Sequence, residues 1–133
     1  MADIDARLAA LPAPVRLVFF TQTFGCDTCL QARQVIDQIA ALSDQITVEE
    51  HNSVLDKDEA NKYVVNRVPA IAIVGVEDVG IRYYGVPAGF EVESIVGAIE
   101  IVATEPPEFG DTARTVIDAL DRDVNIQVFV TPT

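Results

Sequence analysis

The chain is built from apolar blocks whose period changes from segment to segment. Residues 4–11 read as a short helix closed by Pro12 and Pro14. Residues 15–20, Val-Arg-Leu-Val-Phe-Phe, are a nearly continuous apolar run of strand length, suited to the middle of a sheet covered on both faces. A polar loop over residues 21–25 leads into Cys26. From Cys29 onward, Leu30, Val35, Ile36, Ile39, Ala40 and Leu42 fall on one helical stripe. Ile46 and Val48 then mark a half-buried strand. Asp56 and Glu59 stand at capping spacing before a short helix with Ala60, Tyr63 and Val64 on one side. Val68-Pro69 opens an apolar strand over residues 70–76, Glu77-Asp78 turns the chain, and Val79, Ile81 and Tyr83 alternate through the second arm of a hairpin. After residues 85–89 a helix carries Val92, Ile95, Val96, Ile99 and Val102 at the 3.6 period. The order β-α-β-α-β-β-α predicts an α/β fold whose first two strands are parallel and whose last two form an antiparallel hairpin.

The pattern then continues past a complete layout. Glu105-Pro106-Pro107-Glu108 reads as a linker, followed by an amphipathic helix on Ala113, Val116, Ile117 and Leu120 and a final strand over residues 126–130. Val128-Phe129-Val130-Thr131-Pro132-Thr133 echoes Val18-Phe19-Phe20-Thr21-Gln22-Thr23 at four of six positions. The expected division is therefore one unit over residues 1–105, with 106–133 as the linker, helix and first strand of an incomplete second unit, cut off before its own active loop. The alternative is a C-terminal strand at a sheet edge, through which two copies could pair into a homodimer.

Composition removes several classes. Half of the 133 residues are hydrophobic, too many for a disordered chain, and two cysteines are too few for a disulfide-built scaffold. No apolar run reaches membrane-span length, and the acidic Met1-Ala2-Asp3-Ile4-Asp5 start lacks the layout of a signal peptide. A soluble, cytoplasmic protein is expected. Nine basic against twenty-one acidic residues give a net charge of −12, the wrong sign for nucleic acid or an anionic membrane. From Glu77 onward eleven acids face only Arg82, Arg114 and Arg122, which reads first as a solubilising surface.

Candidate chemistry centres on Cys26-Asp27-Thr28-Cys29. Two intervening residues let both sulfurs meet where the first cysteine precedes or opens a helix. Unpaired N–H groups and the partial positive charge there favour a thiolate, the attacking species in disulfide exchange. Cys26 is the expected exposed nucleophile and Cys29 the resolving thiol. Zinc held by Cys26, Cys29, His51 and a carboxylate is the metal alternative; the expectation is no metal and no cofactor. The preceding strand and following helix favour the redox reading.

Val68-Pro69 is the second element. A proline at a strand start interrupts pairing, and a cis bond would turn the Val68 backbone outward beside the cysteines for a substrate strand to pair with. His51, the only histidine, is placed just past the second strand as an ordinary surface residue. Glu49 and Glu50, adjacent in a strand, face opposite sides and make no catalytic dyad.

Strand, C-x-x-C, helix, strand, helix, Val-Pro, hairpin and helix together resemble the thioredoxin/glutaredoxin superfamily. Leu42-Ser43-Asp44-Gln45-Ile46-Thr47-Val48 and Ile81-Arg82-Tyr83-Tyr84-Gly85-Val86-Pro87-Ala88-Gly89-Phe90-Glu91 are similar to the N-terminal unit of glutaredoxin-like protein disulfide oxidoreductases, which carry two fused thioredoxin folds. The closing Val128–Thr133 stretch resembles the segment before their second C-x-x-C. A related resemblance is to the N-terminal domain of the alkyl hydroperoxide reductase flavoprotein subunit, also doubled, whose first unit typically lacks its cysteines. The resemblance implies a thioredoxin-like fold and dithiol–disulfide exchange with protein substrates, supplied by an upstream reductase. It makes Cys26 the nucleophile, Cys29 the resolving thiol and Pro69, with Val68, the substrate-guiding cis-proline.

The sequence also departs from the family. Phe24-Gly25 stands where thioredoxins place a Trp, and Asp27-Thr28 replaces Gly-Pro, so these four residues are expected to modulate the potential. Asp27 should raise the Cys26 pKa against the helix effect. The first strand has no acid to take the second thiol's proton, and Ala88-Gly89-Phe90-Glu91 stands where glutaredoxins place their glutathione-binding Gly-Gly. The function expected is a thiol–disulfide oxidoreductase; the alternative is a non-catalytic binding module whose partner unit carries the chemistry.

Overall fold

The computed structural model describes residues 3–104 and 108–131. Nine elements follow in order: α1 (Ile4–Ala9), β1 (Val15–Thr21), α2 (Cys29–Ala40), β2 (Ile46–Asn52), α3 (Lys57–Lys62), β3 (Ala70–Val74), β4 (Arg82–Tyr84), α4 (Glu91–Ala103) and α5 (Asp111–Asp118). The four strands form one sheet in the order β2-β1-β3-β4. β1 and β2 are parallel, while β1–β3 and β3–β4 are antiparallel.

Alternation along β1 creates two cores. Leu17 and Phe19 point to a face covered by α1, α2 and α4, where they meet Ile36, Ile39, Ile71, Ile73, Ile95 and Ile99. Val18 and Phe20 point to the other face, against Ala60 and Tyr63 of the α3 region and Ala72 and Val74. A strand buried on both faces has no polar side to show, hence the unbroken apolar run. Each fully buried Leu, Ile or Phe contributes about 1.5–3 kcal/mol of transfer free energy. Arg7 ties α1 to α4 through ion pairs with Glu93 and Glu100.

Register brings the connections of the site to one end of the sheet. Phe20 sits opposite Ala70, Thr21 opposite Asn52, and Ala70 opposite Tyr84. The loop after β1, the loop after β2 and the approach to β3 therefore emerge side by side. Ser53 N–H donates to the Thr21 carbonyl at 2.8 Å, joining the first two.

Several boundaries differ from the sequence pattern. Leu30 and Leu42 are exposed, and the buried stripe of α2 is Cys29, Ala32, Ile36 and Ile39 instead. Ala32, small and buried, takes the place that size alone would give Leu30. No capping box forms at α3: the Asp56 carboxylate accepts the Asn52 N–H at 2.9 Å. Val64 is exposed with φ 56°, just after the helix ends. The hairpin strands are shorter, because Asp78 accepts the Gly80 N–H at 3.0 Å and holds Arg82, folding residues 78–80 into the turn and leaving Val76 and Val79 exposed.

The tail departs furthest. α5 forms, but every described residue from 108 to 131 is exposed, and the strand expected over 126–130 is absent. An extended segment becomes a strand only when a neighbour accepts and donates its backbone hydrogen bonds, and none does so here among the described residues. The linker residues 105–107, and 132–133 of the repeated segment, lie outside the described residues. No described helix is long and apolar enough to cross a membrane.

Candidate active site

β1 ends at Thr21 and α2 begins at Cys29, so the C-x-x-C pair lies at the junction between them. Gly25 adopts φ +76°, a left-handed conformation that a side chain would strain, and delivers the chain to Cys26. Thr28 is the N-cap but makes no side-chain capping bond, so the helix start keeps N–H groups without that partner. Cys26 and Cys29 are joined by a disulfide, with their Cα atoms 5.6 Å apart. Their environments differ. Cys26 is half-buried, whereas Cys29, the first helical residue, is only 5% exposed.

The flanking residues are solvent-facing. Asp27 and Thr28 are exposed, and Phe24 and Leu30 present large apolar side chains, Phe24 at 87% exposure. No carboxylate is buried among the described residues, where Ser43 is the one buried polar side chain.

The Val68–Pro69 peptide bond is cis. Pro69 is buried, and its carbonyl accepts the Gly85 N–H at 3.0 Å. Val68 packs its side chain against the second core. Among the described residues neither the N–H nor the C=O of Val68 finds a hydrogen-bond partner. Ala70, two residues on, pairs with Phe20, so this backbone lies at the same end of the sheet as the cysteine loop.

His51 is not the surface residue the sequence suggests. It lies inside β2, its side chain is 19% exposed, and its ring stacks at a tilt on Phe20 with centroids 5.6 Å apart. Its Nε2 is 2.6 Å from Glu49 and 3.9 Å from Glu59. Glu49, His51 and Glu59 thus place possible ligand atoms within 4.8 Å of one another. Their charges are already engaged: Glu49 also accepts from Arg16 at 2.9 Å, and Lys62 lies 3.8 Å from Glu59. Hydrogen bonds from His51 and Arg16 hold the Glu49 carboxyl below its usual range, against some desolvation. Neither cysteine belongs to this cluster, so the structure does not gather the Cys26, Cys29 and His51 set.

A polar cleft of about 230 Å³ opens between the loops, lined by Gln22, Ser53, Lys57, Asn61, Asn66 and Arg67. The sequence pattern did not single these residues out. Their one signal was position: Gln22 in the cysteine loop and Asn66-Arg67 directly before Val68-Pro69.

No family model matches the chain. It is 25% identical over 108 residues to NADH dehydrogenase of Bacillus subtilis, covering 80% of this chain and 19% of that protein. Among solved structures, a protein disulfide oxidoreductase from Aeropyrum pernix superposes with TM-score 0.75 at 22% identity, over 89% of this chain and 52% of the other. The NTD_N/C domain of alkylhydroperoxide reductase AhpF from Enterococcus faecalis gives TM-score 0.78 at 23% identity, over 90% and 58%. Both show the thioredoxin-like fold, and this chain spans little more than half the length of either. A probable thioredoxin of Methanothermobacter marburgensis is 35% identical over 88 residues, which is 65% of this chain and 98% of that protein. Matched over almost the whole of that relative, with a C-x-x-C disulfide at the head of α2, the chain belongs to the thioredoxin family.

Proposed function

We propose that this chain is a thiol–disulfide oxidoreductase acting on protein disulfides. The observation that carries the reading is the unequal exposure of two cysteines within bonding distance: a reachable Cys26 and a covered Cys29. In the reduced form the Cys26 thiolate attacks one sulfur of a substrate disulfide. A Cys26–substrate bond forms and the other substrate sulfur leaves as thiolate. The Cys29 thiolate then attacks Cys26 Sγ, releasing the second substrate thiolate and closing the Cys26–Cys29 disulfide. Two electrons pass from the dithiol to the substrate, and an external dithiol donor restores the starting state. The unpartnered Val68 backbone supports docking of an extended substrate segment by strand-like hydrogen bonds.

In this reading Cys26 and Cys29 are catalytic, Val68 and Pro69 bind substrate, and Phe24, Gly25, Asp27 and Thr28 modulate the pair. The partners are disulfide or dithiol proteins and an upstream reductase in a reducing compartment such as the cytoplasm. Residues 106–133 are assigned to the opening of a second unit, a reading supported by the Val128–Thr133 echo and by the apolar, uncovered Val116, Ile117 and Leu120 of the α5 region.

A redox titration tests the catalytic reading, with alkylation of Cys26 and Cys29 read by mass in graded thiol–disulfide buffers. A reversible two-electron transition between roughly −270 and −180 mV is expected. A pair that never oxidises, or a bridge that resists reduction far below that window, overturns it.

A further inference from the structure

The chain is acidic, and its cations are almost all spoken for. Of nine Lys and Arg residues, seven pair with a carboxylate among the described residues; Lys57 and Arg67 do not. Both line the cleft beside the cysteine loop. Asp56 and Asp58 flank Lys57 in sequence, yet neither forms an ion pair with it, and Asp56 is taken up by the Asn52 N–H. The Arg67 guanidinium lies over the Tyr84 ring, 3.9 Å from its centroid, a contact that orients the guanidinium while forming no ion pair.

Apart from the apolar Ala60 and Val65, the rest of the lining is polar. Gln22, Asn61 and Asn66 bring amide N–H donors, and Ser53 brings a hydroxyl close to Gln22, 3.4 Å from its side-chain oxygen. Two cations surrounded by amide and hydroxyl groups suit carboxylates. On a chain of net charge −12, the two cations that have no carboxylate partner among the described residues thus share one cleft, with Asp56, Asp58 and Glu59 lying on the other side of Lys57. This pair of cations sits at the end of the sheet where the register gathers the Cys26 loop and Val68.

We infer that the Gln22–Lys57–Arg67 cleft is a substrate-recognition subsite that takes carboxylate side chains of an acidic polypeptide segment next to the disulfide being exchanged. The inference rests on the oxidoreductase reading and names its substrate class. An extended segment laid along the Val68 backbone would put its flanking acidic side chains within the field of the two cations, while neutral segments would gain only the backbone pairing. Because both cations are exposed, the selectivity is modest and falls with salt.

The test uses three synthetic peptides with one internal disulfide, flanked by Glu, Gln or Lys, and measures kcat/KM for their reduction. The expected result is a Glu-over-Gln preference of about fivefold at low ionic strength, shrinking in high salt. In the Lys57→Gln/Arg67→Gln double variant the Glu-to-Gln ratio falls to about one, and Arg67→Lys keeps most of it. Absence of a preference in the unmodified chain, or its survival in the double variant, overturns the inference. So does reduction of glutathione disulfide with the same dependence on the two cations and no advantage for the Glu peptide. If no peptide is reduced at all, the oxidoreductase reading fails separately. The cleft is then judged by NMR titration of the oxidised chain with the Glu peptide carrying Ser for Cys. Shifts at Lys57 and Arg67 sustain it, and unshifted resonances there reject it.

Discussion

Gly75 lies directly against the carbonyl of Val102: a Cβ at residue 75 would fall 3.1 Å from that carbonyl carbon and closer still to its oxygen. The contact joins the end of β3 to the last turn of α4, with backbone on the far side that cannot rotate away. Gly75→Ala is expected to destabilise the fold by about 2–3 kcal/mol. Thermal unfolding checks this, with a fall in Tm of about 10 °C expected for a domain of this size. Gly80→Ala, where nothing lies within 4 Å, carries the strain of a positive φ without the collision, and should cost about 1 kcal/mol.

Unequal exposure of the two cysteines assigns them different failures. Cys26→Ser removes the group a substrate can reach, and turnover of a disulfide peptide should drop at least a hundredfold. Cys29→Ser leaves the attack intact but removes the escape. A covalent adduct between Cys26 and the substrate should then accumulate, visible by mass and released by reductant. Equal loss without an adduct in both variants would contradict the assignment.

Acid should weaken the hairpin turn. The Arg82 guanidinium, with help from the Gly80 N–H, holds the Asp78 carboxyl below its usual range despite partial burial. A carboxyl with a depressed folded pKa binds its proton more readily when unfolded. Its contribution is therefore present above the ordinary aspartate pKa of about 4 and is lost as pH falls through the lower folded value. The stability gap between the unmodified chain and Asp78→Asn should be constant from about pH 7 to 5 and close below about pH 4. Urea midpoints across that range measure it.

Residues 108–131 contribute no buried side chain. Ending the chain after Glu108 should leave the melting temperature within about 2 °C of the original, since no core contact is lost. A larger fall would show that the segment is covered in solution.

Much of this molecule is legible from period alone. The unbroken run at 15–20 identifies a doubly covered central strand, and the 3.6 period after Glu91 identifies α4. Proline before β3 and a C-x-x-C at the head of α2 are also local facts. What period cannot see is which of several apolar residues a tertiary neighbour will cover. Leu30 and Ala32 both fit a helix, and packing against the sheet chose the smaller one. His51 looked peripheral because its ring partner, Phe20, is thirty-one positions away and meets it only through the parallel β1–β2 register. The cleft is invisible for the same reason, assembled from α3 and the loops after β1, after β2 and before β3, which only the register brings together.

β1 is bonded along both edges and covered on both faces, so sliding or tilting it would break two ladders and two cores together. Cys26 hangs five residues beyond that strand's last position. The proposed nucleophile is thus mounted by a short, glycine-jointed arm on a beam held at both edges and on both faces. Opening and closing the sulfur bridge can be absorbed in the arm, while the beam stays fixed. Under the proposed function such a mounting suits repeated cycling, because the reacting sulfur is carried by the arm and not by the sheet itself.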